Sequence, residues 1–397
     1  MFYGRSRLTR DVDHVGKDLS GIKVLDLSRV LAAPYATMAL GELGAEVIKI
    51  ERPGTGDETR QWGPPFWGDL AAYFLSTNRN KKSCEVDLGT SQGQELVRTL
   101  AIEWADIVIE NFKPGTLERY HLALSELRDA NPRLITATLR GYPEGDDRPG
   151  YDFVMQAGTG LMSLTGPVGQ EPFKVGIAVA DITAGLFLLS GVLAALVTRY
   201  ESGLGQHVSV SLFDAQLAWW ANVGSAYLVT GDAPRRWGNA HAQLAPYEIF
   251  EALDGHLALA VGNDRQFVAL CELLGHREWA HDPRFENNPA RVRNREGLHD
   301  LIQGAIEKNP VDYWVTAMGQ HDVPAGPVRS VPEALQWREQ FSPPMAGRVE
   351  GVPQMFLPWQ FSRSSATPKT APPHLGQHTE EIWALYERLR KDSRQDG

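Results

Sequence analysis

Over the first half of the chain, short runs of β-branched and apolar residues alternate with longer stretches of helical period. Ile22 to Leu27 (IKVLDL) and Glu46 to Ile50 (EVIKI) read as strands. Between them, apolar positions from Ala33 to Leu43 recur at helical spacing and stop at Gly44, a residue type common just past a helix end. That is a βαβ unit. The pattern repeats through Lys82 to Val86 (KSCEV), a helix near Gly93 to Trp104, Asp106 to Glu110 (DIVIE), a helix near Leu124 to Ala130, and Leu134 to Leu139 (LITATL). A long apolar helix pattern then starts at Ile182, followed by the strand His207 to Ser211 (HVSVS) and a second apolar helix from Asp214 to about Leu228. Strands and helices in this alternation predict an open, mostly parallel α/β sheet.

After that the rhythm changes. From Arg235 to about Pro332 strands are few, Tyr247 to Ala252 and His256 to Val261 across the turn Asp254-Gly255, and the rest is helical and rich in charge and Trp. We read residues 1–228 as a large Rossmann-like domain, 229–332 as a smaller α+β domain, and the Pro-rich 333–397 as extended chain returning to the large one. Proline lacks the donor that a central strand needs.

Composition narrows the function classes. The chain has 397 residues, 43% hydrophobic and 22% charged, as in ordinary globular proteins. Its net charge of -10 argues against nucleic-acid binding, which needs a basic face. The apolar run Ile182 to Val197 is bounded by Asp181 and Arg199 and is shorter than a bilayer span, so it reads as a buried core helix rather than a membrane segment. Two distant cysteines, Cys84 and Cys271, indicate neither a disulfide framework nor a zinc site, and fit a reducing compartment such as the cytoplasm. The start, MFYGRSRLTR, lacks the apolar core of a secretory signal and reads as a plain arm or a transit segment, the latter implying a mitochondrial matrix location in a eukaryote. The tail RLRKDSRQDG reads as frayed.

One carboxylate stands out. Asp181 falls between the apolar run Ile177 to Ala180 and the long apolar helix, where an unpaired charge is costly. The free N–H groups of a helix start would favour the anion and lower its pKa, giving a partly dry, ionised nucleophile for an activated acyl group. A simple N-cap is the bland alternative. Basic residues follow the strand ends: Arg52 after the second strand, Lys113 after DIVIE through Asn111 and Phe112, and Arg119 about a turn later. Ligands of open parallel sheets sit beyond those ends. Together these residues suit a phosphorylated ligand, with Phe112 or Tyr120 against a purine ring.

Other motifs carry less. The first βαβ has Glu51 where an acid could hold a ribose, but SRVLAAPYATMALG lacks the paired glycines of a dinucleotide site. Gly89 to Gly93 (GTSQG) matches a nucleophile elbow, yet Ser91 with Gln94 also forms a capping box. His276 and His281 lack metalloprotease spacing, and Arg235-Arg236 reads as a solvated loop pair.

Taken in order, GIKVLDLSRVLAAPYATMALGELGAEVIKIERPGTGDETR, NRNKKSCEVDL, IENFKPGTLER, GYDFVMQAGTGLMSLTG, VGIAVADITAG and PPHLGQHTEEI resemble the class III CoA-transferases, almost end to end. The resemblance implies a Rossmann-like large domain, a small domain, an interlocked homodimer, Asp181 as nucleophile, coenzyme A as substrate and no metal. It puts CoA along Val30, Leu31, Arg52, Asn111, Phe112, Lys113, Arg119 and Tyr151. The family also includes α-methylacyl-CoA racemases, which carry a His where this chain has Tyr151 before Asp152, so the transferase is the better match. The loop RWGNAHAQLAPY replaces the glycine run of formyl-CoA:oxalate transferases and is similar to succinyl-CoA:glutarate transferases. That implies succinyl-CoA as donor, a short dicarboxylic acid as acceptor, and Gly238, Asn239 and His241 bordering the acyl group.

Overall fold

The computed structural model describes residues 18–392. The basic start MFYGRSRLTR and the last five residues, SRQDG, lie outside the described residues. The chain divides into two compact units. The first comprises residues up to 159, 176–225 and 341 onward, and the second comprises 160–175 and 226–340.

The first unit is built on six strands: β1 (Lys23–Asp26), β2 (Glu46–Glu51), β3 (Lys81–Glu85), β4 (Ile107–Glu110), β5 (Ile135–Arg140) and β6 (His207–Ser211). All neighbours are parallel, in the order β3-β2-β1-β4-β5-β6. The expected parallel α/β sheet is therefore present. Because side chains alternate along a strand, successive residues enter opposite apolar layers. Val24, Val47, Ile107, Ile109 and Ala137 face helix α1 (Ala32–Glu42) and the long helix Val179–Ser202. Leu25, Ile48, Ile50 and Val108 face the other way, onto the helix Ser91–Thr99 and, at the far end of the chain, Ile382 and Tyr386.

Glycine decides how closely the long helix approaches α1. A Cβ on Gly185 would stand 2.5 Å from the Ala32 carbonyl oxygen, so no larger residue fits without moving one helix. The long helix ends at Gly203, which takes the left-handed conformation with φ 76 and donates to Arg199 O. Among the described residues it is the one helix long and apolar enough to cross a membrane, and half of its most apolar stretch is buried. One side packs into the core beside the sheet, while Leu186, Phe187, Val197 and Tyr200 face outward.

Three expectations need correction. The apolar helix from Asp214 to Leu228 is broken, running as Leu212–Leu217, a 3-10 turn at Ala218–Trp220, and Ala221–Thr230. The break coincides with an unusual backbone at Ala221, φ 15 and ψ -103. The segment RLRKD is not frayed but ends the helix Thr379–Asp392. Acidic Glu380 and Glu381 open that helix and basic Arg390 and Lys391 close it, both favourable to its dipole. The stretch from 333, expected to be extended, instead begins inside the helix Val331–Arg338, then forms a hairpin, Ala346–Val349 with Val352–Met355, and from 356 to 378 holds neither helix nor strand.

The second unit holds a three-stranded antiparallel sheet, Ala325–Pro327 beside Gly255–Ala260 beside Tyr247–Ala252. Phe250, Leu257, Phe267, Leu270, Trp279, Ile302, Trp314 and Met318 form its core. Arg291, fully buried, ties its helices together by donating to Ala245 O and Phe285 O and pairing with Asp264 at 2.5 Å.

Candidate active site

The sheet changes winding direction between β1 and β4, and the chain leaving their carboxyl ends opens a cleft there, as open α/β sheets do. A cavity of about 160 Å³ occupies it, lined among others by Val30, Leu31, Asn111, Phe112, Lys113, Tyr151 and Asp181. Seven of the sequence-derived positions thus meet in one pocket of the first unit. The two sides of the cleft are tied by Asn111, whose Oδ1 accepts from Arg29 N at 2.9 Å and whose Nδ2 donates to Arg29 O at 2.7 Å. Phe112 packs against the apolar layer of Leu25, Ile48 and Val108 and carries the Arg29 guanidinium 5.4 Å from its ring centre. Arg52 and Arg119 do not line this cavity. Arg119 turns back onto its own helix, donating to Gly115 O and Thr116 Oγ1.

Val30 departs from ordinary backbone geometry. It has φ 72, a region costly for a β-branched residue, and its N–H donates to Asp57, 3.2 Å from Oδ2. Asp57 belongs to a buried cluster of charges beneath the loop. It pairs with Lys49 at 3.0 Å with neither side chain exposed, and Lys49 Nζ also donates to Ser28 O at 2.6 Å. Alongside, Asp26 accepts from Thr37 Oγ1 at 2.7 Å and pairs with Lys81 at 3.0 Å, and Glu51 pairs with Arg60 at 2.6 Å. Burial pushes the Asp26, Glu51 and Asp57 carboxyls upward, but the neighbouring cations and donors win and hold all three below their usual range. Lys81 goes the other way, since burial outweighs Asp26 and lowers it to about 8. Glu51, at the place where a ribose-binding acid would stand, is thus a structural ion-pair partner. The sequence did carry a signal for part of this cluster: Lys49 interrupts the apolar run of EVIKIE and Asp26 follows the apolar Val24 and Leu25, whereas Lys81 opens the polar strand KKSCE and gives no such sign.

Asp181 sits differently from its expectation. The long helix begins at Val179 with Ala178 as N-cap, so Asp181 is the third helical residue rather than the cap. It is 7% exposed. Its pKa is not lowered but raised from 3.8 to about 7, first by burial and then by the charge of Asp152. The capping is done instead by Asp152, the first residue of the helix Asp152–Gly158, whose Oδ1 accepts from Ala180 N at 2.7 Å. That contact spans 28 residues of chain, and local capping rules do not reveal it. The turn into Asp152 is tight because Gly141 and Gly150 lie backbone to backbone, and a Cβ on Gly150 would stand 2.8 Å from Gly141 Cα.

The remaining candidates are accounted for locally. Thr90, not Ser91, caps its helix, accepting from Gly93 N at 3.1 Å, and Gln94 Nε2 donates to Leu88 O, so the GTSQG segment is a helix start. Gly238, Asn239 and His241 lie in the second unit, in a loop where Gly238 has φ 63 and His241 N donates to Tyr247 O. Beside them Trp237 is held between the guanidinium groups of Arg235 and Arg295, at 3.9 and 4.4 Å from its ring. Arg236 is not solvated as read from sequence, since it donates to the carbonyls of Met162, Pro167, Gln170 and Glu171. Among the described residues, no group of three or more His, Cys, Asp or Glu side chains is placed to hold a metal ion.

Comparison with known proteins agrees with this architecture. Residues 19–379 match the model of CoA-transferase family III. Human succinyl-CoA:glutarate CoA-transferase is 36% identical over 393 residues, covering 96% of this chain and 88% of that protein. A succinate–glutarate CoA-transferase of Agrobacterium fabrum is 39% identical, covering 94% of this chain and 96% of its own. The crystal structure of a CAIB/BAIF family protein from Brucella suis, 40% identical, superposes with a TM-score of 0.83 over 93% of this chain and 99% of that one. With the motif order, the parallel sheet and the relatives in agreement, the chain belongs to CoA-transferase family III.

Proposed function

We propose that this enzyme moves CoA from an acyl-CoA, succinyl-CoA in the first instance, to a short dicarboxylic acid, and that Asp181 carries it. The observation behind the reading is the buried carboxylate of Asp181 in the cleft beyond β1 and β4. Relatives named for succinyl-CoA and glutarate support the choice of donor and acceptor.

An ionised Asp181 oxygen attacks the thioester carbonyl carbon. The C–S bond breaks, CoA leaves as thiolate, and a mixed anhydride joins Asp181 to the acyl group. The thiolate then attacks the Asp181 carbonyl carbon, releasing the donor acid as carboxylate and leaving an aspartyl-CoA thioester. The acceptor carboxylate repeats both exchanges in reverse. Protons balance without outside help, since one carboxylate enters as another departs. Each tetrahedral intermediate calls for N–H donors, the role we give to the glycine-containing backbone near the nucleophile. Val30, Leu31, Asn111, Phe112, Lys113 and Tyr151, with Arg52 and Arg119, are assigned to CoA, and Gly238, Asn239 and His241 to the acyl group. An interlocked homodimer in the cytoplasm, or in the mitochondrial matrix of a eukaryotic host, completes the proposal.

The test is intact-mass spectrometry after mixing with succinyl-CoA, followed by borohydride trapping and peptide mapping. A CoA adduct, or its reduced product, on the peptide holding Asp181 is expected, and Asp181→Ala should lose both adduct and transfer. Full transfer by Asp181→Ala would refute the mechanism. Exchange of the α-proton into deuterated water with no need of an acceptor acid would mark a racemase instead.

A further inference from the structure

The helix that bears Asp181 begins with a hydrogen bond from another helix. Asp152 Oδ1 accepts from Ala180 N, the residue just before Asp181, at 2.7 Å. Its second oxygen, Oδ2, accepts from Gln156 Nε2 at 2.7 Å, and the same nitrogen reaches Ile177 O at 3.2 Å, on the strand of chain leading into the helix. Asp152 and Gln156, four residues apart on one short helix, therefore clamp the approach to Asp181 from both sides of the helix start. Gln156 is fully buried. The clamp takes up one of the free N–H groups that would otherwise favour an anion at this helix end. It also brings a second negative charge next to Asp181.

We propose that Asp152 is the positioning residue of Asp181: it fixes the first turn of the helix through Ala180, and its charge raises the pH at which the nucleophile ionises and the basicity it then has. This rests on Asp181 being the nucleophile. Two carboxylates sharing a site push apart in their ionisation, and a more basic carboxylate is the stronger nucleophile toward a thioester. The upward shift of Asp181 to about 7, in which Asp152 is the second cause after burial, agrees with the arrangement.

The other charged groups around Asp181 do not replace Asp152. From the short helix Ala72–Leu75, Tyr73 is neutral over the working range, its phenol raised to about 12 by burial and then by Asp181, Asp152 and Asp57. In the cavity itself Arg29 pairs with Glu58, Arg140 with Glu110 and Arg148 with Asp146, while Lys113, Asp147 and Tyr151 complete the titratable lining.

The experiment is the pH profile of CoA-adduct formation from succinyl-CoA, by intact mass, for the full chain and for Asp152→Asn and Asp152→Glu. Asn keeps an oxygen for Ala180 N and removes the charge, whereas Glu keeps the charge and disturbs the fit. The wild-type acidic limb should fall near pH 7. In Asp152→Asn it should move down by about one unit, with a lower plateau rate above it. In Asp152→Glu the limb should stay near the wild-type position with a reduced rate. A limb that stays put in Asp152→Asn, or the same profile in both variants, would overturn the proposal and leave Asp152 a plain helix cap. If Asn does not fold, the Glu variant decides, because a limb displaced to the Asn-like lower pH while the charge is retained refutes the assignment. Absence of any adduct on wild-type Asp181 would instead be the failure of the transferase mechanism, and is seen before any variant is compared.

Discussion

Replacing Asp181 by Asn should make the protein more stable, by an amount that depends on pH. The side chain is 7% exposed and its pKa is lifted from 3.8 to about 7 by burial and by Asp152. Between those two values the folded chain keeps a proton that the unfolded chain has already released, so the wild type loses stability as the pH rises through that window. Above pH 7 the whole deficit is present, and below pH 4 none of it is. At 1.36 kcal/mol per pKa unit, a gap of about 3 units sets a ceiling of about 4 kcal/mol. Asn has nearly the same shape and no charge. The gain over wild type should therefore be near zero at pH 4, grow by about 1.4 kcal/mol per pH unit, and level off above pH 7. Urea titrations followed by circular dichroism, run in parallel on both proteins from pH 4.5 to 8.5, give the difference in midpoint with other titrations cancelled. Where two transitions separate, the one belonging to the first unit should move. A gain that is flat with pH, or an Asn variant less stable than wild type at pH 8, would refute the reasoning that burial and Asp152 hold this carboxylate against its own ionisation.

Three further outcomes follow from the packing. Asp57→Ala strands Lys49 in the interior without its carboxylate at 3.0 Å, and should cost about 3 to 5 kcal/mol in chemical unfolding; Lys49→Met in the same chain should recover part of that loss. Gly185→Val places a side chain against the Ala32 carbonyl and should destabilise by about 1 to 3 kcal/mol, read as a lower Tm. Cys84 and Cys271 are free, buried, and have thiols that burial pushes up to about 12, so a disulfide reagent at pH 8 should titrate neither in the native protein and both after unfolding.

The sheet was readable from residue pattern because its inner strands, Lys23–Asp26, Glu46–Glu51, Ile107–Glu110 and Ile135–Arg140, are buried almost throughout and alternate with helical stretches. His207–Ser211 and Tyr247–Ala252 are found with the boundaries that pattern assigns them. The cleft was readable through position only in part: of the residues singled out beyond strand ends, Asn111, Phe112 and Lys113 line it and Arg52 and Arg119 do not, while Val30 and Leu31 entered through the family resemblance alone. The ionisation of Asp181 was not. The N–H groups of the helix that follows are plain in the local sequence, but not the carboxylate that arrives from 28 residues upstream and takes one of them. Nor does anything in SRVLAAP announce a left-handed valine, because valine is among the residues least suited to that conformation and its cause, Asp57, stands 27 residues further on. The broken helix at Ala218–Trp220 was hidden for a different reason, since the apolar run continues across the break.

That left-handed Val30 bears on how the cleft meets its ligand. A β-branched residue in this region gives up about 1 to 3 kcal/mol, and the loop remains there because Asp57 receives its N–H and Lys49 holds both Asp57 and Ser28 O from below. The backbone on this wall is thus already fixed before a ligand arrives, and binding need not freeze it. Ordering a loop on association removes free energy from every complex it forms. Here that loss is met once, during folding, and is shared by donor and acceptor complexes alike. In the CoA site proposed above, the same rigid wall would meet both acyl-CoA species of a turnover, so that ordering this loop would weigh on neither.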